Sequence, residues 1–137
     1  MIAALEAPAL RALDATVEAA RAAGFVVAIA IVDAHGDLIA ARRMDGARPR
    51  FMRASLRKAY TAAVMDRDTE AFHDEIVARH LQIAYYGDPM LCALPGGVVV
   101  TGADGVTVAA IGVTGKTVGR DAELARAGIA AFAQVTA

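Results

Sequence analysis

The stretch PGGVVVTGADGVTVAAIGVTGKTVGRD, from Pro95 to Asp121, carries two apolar runs rich in β-branched residues, Val98–Thr101 and Val106–Val113. Between them stands Gly102-Ala103-Asp104-Gly105, and an Asp-Gly pair flanked by such runs is a hairpin signal. Neither run alternates apolar with polar as a strand wetted on one face does. A sheet covered on both sides, or buried between subunits, is therefore expected. Gly115-Lys116-Thr117 follows and leads into a helical pattern that starts near Val118. Backbone N–H groups at such a helix start point outward and attract anions. A nucleotide-binding phosphate loop is not the reading, because Ala110 stands where that loop needs its first glycine.

Upstream of the hairpin the chain alternates helix and strand signals. Met1 to Ala23 reads as a helix with Leu10, Leu13 and Val17 on one stripe, Pro8 in its first turn and Gly24 at its end. Phe25–Val32 is an apolar run of strand length, and Leu38–Arg43 returns after the turn Asp33-Ala34-His35-Gly36-Asp37. From Arg50 to about Met65 the pattern is helical, with Met52, Leu56, Ala59 and Ala63 as the buried stripe and Arg53, Arg57, Lys58 and Thr61 off it. A third helix, capped by Asp68 or Thr69, runs to about Tyr85, and Gly87-Asp88-Pro89 stops it. Met90–Leu94 leads into the hairpin, and a last helix covers roughly Val118–Val135 with Leu124, Gly128 and Ala131 inward. No repeat or linker divides the chain, so residues 1–137 read as one α+β domain, an antiparallel sheet with helices on its faces.

Composition narrows the function. The chain is 57% hydrophobic, much of it alanine, which suits close packing of helices on a sheet and extended subunit contacts. A formal net charge of −1 gives no electrostatic footprint for nucleic acid or an anionic membrane. The single cysteine, Cys92, rules out an internal disulfide framework, fits a reducing cytosol and reads as a small buried hydrophobe. No apolar span approaches the roughly 20 residues of a membrane helix. Charged residues interrupt the N-terminus where an export signal needs its apolar region, and a cytoplasmic location is expected.

His73 and His80 fall on the third helix seven residues apart, on one face and about 10 Å from each other. That separation is too long for one metal ion, yet either ring could ligate a haem iron. His35 lies in a turn and reads as solvated. Strand alternation sends Arg42 and Arg43 to opposite faces, so one of them can face a ligand while Asp45 closes the hairpin. Lys58 and Thr61, with Arg57, either hold a carboxylate or form a solvated helix face; spacing alone favours the solvated face. Tyr85 and Tyr86 can stack on a flat ligand or simply pack. Asp121 sits in a helix first turn, where a carboxylate suits the dipole whether or not it is catalytic.

Five segments taken together resemble the GlcG/HbpS family, which includes the C-terminal domain of PduO. They are IAIVDAHGDLIAARRMDGA (Ile29–Ala47), KAYTA (Lys58–Ala62), Asp68-Thr69, LPGGVVV (Leu94–Val100) and AAIGVTGKTVGRDAELA (Ala109–Ala125), in the family's order and spacing. The resemblance implies a profilin-like arrangement of α-β-α layers around a five-stranded antiparallel sheet. It also implies a homo-oligomer, often an octamer or another even assembly. Relatives are associated with haem, with iron or cobalamin contexts, or with lyase activity on small aromatic acids. Gly96, Gly97, Arg43, Asp45, Lys58, Thr61 and Asp121 match the family pattern. Lys116 departs from it and puts a cation at the start of the last helix.

The expectations are these. A cytosolic homo-oligomer binds haem or a similar flat anionic molecule, with Arg43, Lys58 and Lys116 on its acid groups and His73 or His80 on the iron. Asp45, Thr61, Tyr85, Gly96 and Gly97 would complete the ligand site, and no other cofactor or resident metal is expected. The alternative is a cofactor-independent lyase-like enzyme on an aromatic or hydroxylated acid, with Lys58, His73 and Asp121 catalytic. A third reading is an accessory or scaffolding oligomer.

Overall fold

The computed structural model describes residues 4–136. Helix α1 spans Glu6–Ala23, with buried Pro8 in its first turn, and Gly24 closes it at φ 78° by donating its N–H to the Ala20 and Arg21 carbonyls. Strands β1 (Ala28–Asp33) and β2 (Leu38–Arg43) form the first hairpin. Helices α2 (Pro49–Met65) and α3 (Thr69–Ala78) follow, then a single 3-10 turn at Ile83–Tyr86. The second hairpin is β3 (Gly97–Thr101) with β4 (Thr107–Thr114). Helix α4 (Val118–Arg126), a 3-10 turn at Ile129–Phe132 and the short α5 (Ala133–Thr136) complete the chain.

The four strands form one antiparallel sheet in the order β2-β1-β4-β3. The α+β class holds, with helices on both faces, and the expected fifth strand is corrected to four. The reason lies at the β3 edge. There Val99 donates its N–H to Asp68 Oδ1 at 2.9 Å, and Gly97 donates to Thr69 Oγ1 at 3.0 Å. Side chains at the start of α3 thus occupy the hydrogen-bonding positions that another strand would need. They also blunt the edge against intermolecular pairing.

Strand alternation sorts the core. Ile29, Ile31, Val98, Val100, Ile111 and Val113 pack against Ala9, Leu13 and Val17 of α1, Leu124 and Ala125 of α4, and Phe132. On the opposite face Ala30, Val32 and Ala110 meet Ala59, Ala62 and Ala63 of α2. Both central strands are buried on both sides, as their continuous apolar runs required. The α2 face is lined by small residues because the helix rides very close to the sheet. A Cβ at Gly112 would meet the Ser55 carbonyl and lie 2.7 Å from Ala59 N, and one at Gly97 would meet the Lys58 carbonyl. The alanine surplus has this physical use.

Two boundaries and one helix phase differ from the pattern reading. Helix α3 ends at Ala78, where His80 adopts φ 55° and its N–H, with that of Leu81, bonds back to Val77 O and Ile76 O. Histidine here does the work usually given to a terminating glycine. His73 and His80 therefore do not share a helix face. The last helix breaks near Gly128, whose bare Cα lies so close to α1 that a Cβ would stand 2.9 Å from Thr16 Oγ1 and 3.2 Å from Ala12 O. The α2 stripe is also rotated from its expected phase: Phe51, Ser55, Lys58, Ala59, Thr61, Ala62 and Ala63 are buried, while Met52 and Leu56 are half-buried. Residues 1–3 of the expected first helix, and Ala137, lie outside the described residues.

Candidate functional site: a buried ion pair beneath a cationic cleft

The rotated phase of α2 puts Lys58 inside. Its side chain passes beside Gly96, where a Cβ would stand 2.9 Å from Nζ. It donates to the Val113 carbonyl at 3.0 Å and to Asp121 Oδ2 at 3.1 Å. Both side chains of the pair are only 1% exposed. Asp121 belongs to α4, on the other side of the sheet, so the pair joins the two helical layers. Its second oxygen, Oδ1, accepts the N–H of Gly115 at 3.0 Å. Burial pushes the Asp121 carboxyl above its ordinary value, against the opposing pull of the Lys58 charge, the Lys58 hydrogen bond and the Gly115 N–H. A pair this enclosed offers no surface to a substrate; it acts as a clamp.

Thr61, one turn further along α2, is buried as well. Its hydroxyl donates to Arg57 O at 2.7 Å and accepts the N–H of half-buried Cys92 at 2.8 Å, pinning the segment before β3. Gly96 and Gly97 serve the close approach of Lys58 and α2 described above.

Beside the clamp a half-open cleft of about 630 Å³ lies between the end of α1, the entry to β1, the start of α2 and the β4–α4 connection. Its lining is Gly24, Phe25, Val26, Gly46, Arg48, Arg50, Phe51, Lys116 and Thr117. The size is that of a small-molecule site. Local sequence explains the lining. Pro49 occupies the first turn of α2, so Arg48 stays extended at ψ 148° as its N-cap and Arg50 and Phe51 follow in the first turn. Arg50 lies 5.1 Å from the Phe51 ring centroid, and Arg120 lies 5.2 Å from that of Phe25. Arg120 is neutralised by Glu123 at 2.8 Å, whereas Arg48, Arg50 and Lys116 have no carboxylate partner among the described residues. The lining thus carries three cations, two aromatic rings and no acid.

Of the expected site residues, the structure brings Lys58 and Asp121 together, and Lys116 alone enters the cleft. Arg43 and Asp45 are exposed and outside its lining, while Arg42 turns to Asp14 of α1 at 3.0 Å. The two arginines do take opposite faces of the sheet. His73, His80 and Tyr85 are also exposed and do not line it; Tyr86 packs edge-on to Phe72 at 5.3 Å. Sequence reasoning missed Arg48, Arg50, Phe25 and Phe51. The signal was Arg48-Pro49-Arg50-Phe51, a basic-aromatic run around an N-terminal helix proline.

A four-stranded antiparallel sheet between helical layers, with a cationic cleft at one end, defines the class: a small α+β protein. The chain belongs to the HbpS-like family, whose model, described as haem degrading protein HbpS-like, matches residues 6–130. It is 36% identical over 97 residues to protein GlcG of Escherichia coli strain K12, covering 71% of this chain and 70% of that protein. It is also similar to the crystal structure of a double mutant of Streptomyces reticuli HbpS. There the TM-score is 0.80 at 35% identity, over 90% of this chain and 82% of that one. The crystal structure of a PduOC:heme complex aligns with TM-score 0.79 at 26% identity, over 90% of this chain and 91% of that one. Among the described residues no helix is long and apolar enough to cross a membrane.

Proposed function

We propose that this protein binds a flat anionic small molecule, haem being the leading example, in the cleft between the start of α2 and the β4–α4 connection. The observation that carries the reading is the cleft lining: Arg48, Arg50 and Lys116 around Phe25 and Phe51 in about 630 Å³. Guanidinium and ammonium groups suit propionates, and the phenylalanines suit the face of a macrocycle. The names of the HbpS relatives and of the PduOC:heme complex support haem as the class. The residues fit the acid groups and the ring, while none of the three histidines lines the cleft. Haem held there would supply its iron for redox chemistry. The chain's own part is to bind the acid groups, seat the ring and exclude water from one side. The protein is further proposed to work as a cytosolic homo-oligomer, in line with its many small apolar residues.

The same lining also favours an aromatic carboxylate, the substrate class of the lyase-like alternative. Lys58 and Asp121 are enclosed and paired, and His73 stands at the surface, so the expected catalytic trio is not assembled in the cleft. Binding without turnover is the expectation for such an acid.

A haemin titration of the purified protein, followed by absorbance, tests the proposal. A saturable, shifted Soret band is expected. The Arg48→Ala/Arg50→Ala variant should weaken it by roughly ten- to a hundredfold, the loss of one or two charge-assisted contacts. His73→Ala and His80→Ala should leave it unchanged. A weak, non-saturating band that is the same in the arginine variant would overturn the reading.

A further inference from the structure

We propose that the Lys58–Asp121 clamp sets the position of Lys116 in the cleft, which makes Asp121 a positioning residue for ligand binding. The inference rests on the cleft reading above and adds a role for two residues that no ligand can reach. The path is short. Asp121 Oδ1 holds the N–H of Gly115, the residue before Lys116, at 3.0 Å. Asp121 Oδ2 is held by Lys58 at 3.1 Å, and Lys58 also grips the Val113 carbonyl at 3.0 Å. Lys58 belongs to α2, the helix whose N-terminus carries Arg48, Arg50 and Phe51. One ion pair and one hydrogen bond thus tie the arginine wall of the cleft to the lysine wall.

Gly115 is fixed from its other side as well. A Cβ there would lie 3.0 Å from Val27 Cγ1 and 3.4 Å from Val26 O, so its backbone is seated against the entry to β1, and Val26 itself lines the cleft. The Lys116 ammonium has no carboxylate partner among the described residues and takes its place from the backbone that Asp121 holds. A ligand with acid groups on both walls needs the walls in fixed relation, because preorganisation removes part of the ordering cost of binding. Without the tether Lys116 samples other positions, and such a ligand loses simultaneous engagement.

Haemin, with two acid groups, is the probe, and the variants separate positioning from stability. Lys58→Met/Asp121→Leu removes both charges together, so no ion is stranded, and deletes the acceptor for Gly115. Lys58→Met/Asp121→Asn keeps a side-chain oxygen for that N–H. Both are first checked for cooperative unfolding and an unchanged circular dichroism spectrum. The leucine variant is expected to bind haemin about tenfold more weakly and the asparagine variant within about twofold of the parent. Lys116→Ala added to the leucine variant should cost nothing beyond its loss alone, since groups acting through one another are not additive.

Hydrogen exchange of the Gly115 amide gives a readout that needs no ligand. Its protection should fall in the leucine variant and return in the asparagine variant. Parent-like affinity and protection in the folded leucine variant, or losses that add with Lys116→Ala, overturn the inference. If haemin fails to saturate the parent, the ligand reading falls by itself, and the exchange result decides the positioning role.

Discussion

Replacing Lys58 alone by methionine strands the Asp121 carboxylate in a site where its side chain is 1% exposed. Methionine fills the space of the lysine stem, so the penalty is electrostatic more than steric. The folded protein avoids a bare buried ion by keeping Asp121 protonated. That proton costs about 1.4 kcal/mol for each pH unit above the ordinary carboxylate value of 3.8. The cost of that proton should therefore approach about 4 kcal/mol at pH 7 and under half of that at pH 5, and the gap from the parent is what exceeds the smaller share the parent already bears. The larger figure agrees with the roughly 3–5 kcal/mol lost when one partner of a buried pair is removed. The sign follows from proton counting. Burial raises the folded-state Asp121 value in the parent, so its stability falls as pH rises from the ordinary carboxylate value through that raised value, and then levels. The variant lacks both Lys58 contributions that pull the value down, so its stability keeps falling. Urea unfolding of parent and variant at each pH unit from 5 to 8 measures the gap, which should widen with pH. Lys58→Met/Asp121→Leu should recover most of it at pH 7. A gap below about 1 kcal/mol, or one of constant size across the range, would refute the reasoning.

Asp68→Ala should lower stability by about 1–2 kcal/mol, because it uncaps the Val99 N–H and breaks the 3.3 Å pair with half-exposed Arg126. Light scattering on heating should begin earlier in that variant, since the β3 edge is opened. Gly112→Val should cost more than about 3 kcal/mol in thermal unfolding, because its side chain would press on the Ser55 carbonyl and on Ala59 N and lift α2 from the sheet. Tyr60 donates to Asp88 at 2.6 Å, and that hydrogen bond, then the one from Met90 N–H, holds the Asp88 carboxyl below its ordinary value. Tyr60→Phe should move the Asp88 titration, read by carboxyl NMR, upward toward the ordinary value. Haemin affinity should fall as salt rises, because the cleft cations lie at a half-open surface.

The strand framework was legible because its evidence is local. β-branched runs, an Asp-Gly turn and alternation needed no partner to be read, and all four strands lie within a residue or two of their marks, apart from the late start of β1. The fifth strand, taken from the resemblance, failed where two short side chains did a strand's job. Asp68 and Thr69 read as helix-capping residues, yet Asp68 makes no side-chain cap and both turn to the β3 edge instead. The end of α3 was the weakest part, since His80 stops it in a left-handed conformation without a glycine to announce it, whereas α2 ends at Met65 as expected, with Asp66 left-handed behind it. The cleft was hardest to see. Its lining comes from four places in the chain, and only Lys116 and the helix start behind it stood in the stretch that fixed the sheet.

Lys58 shows why charge pattern misled at the very residue that organises the site. In sequence it follows Arg53 and Arg57, and a lysine in such company is ordinarily a solvated one. What reverses the inference is the partner surface. Because Gly97 and Gly112 let α2 settle on the sheet, the helix turns the flank bearing Lys58 and Thr61 inward and leaves Met52 and Leu56 only half-covered. Once inside, a lysine at Gly96 needs an acceptor and a countercharge, and Val113 O and Asp121 supply them. The glycines and the ion pair are thus one device. A Cβ at Gly96, whose φ is 130°, would lie 2.5 Å from the Val113 carbonyl oxygen, 2.9 Å from Nζ and 3.0 Å from the Asp121 Cβ, so the glycine makes room for the backbone and the pair together. Gly96→Ala should accordingly lose stability by an amount that shrinks in the Lys58→Met/Asp121→Leu background, measured as a coupling in urea unfolding. Equal losses in both backgrounds would separate the glycine from the clamp.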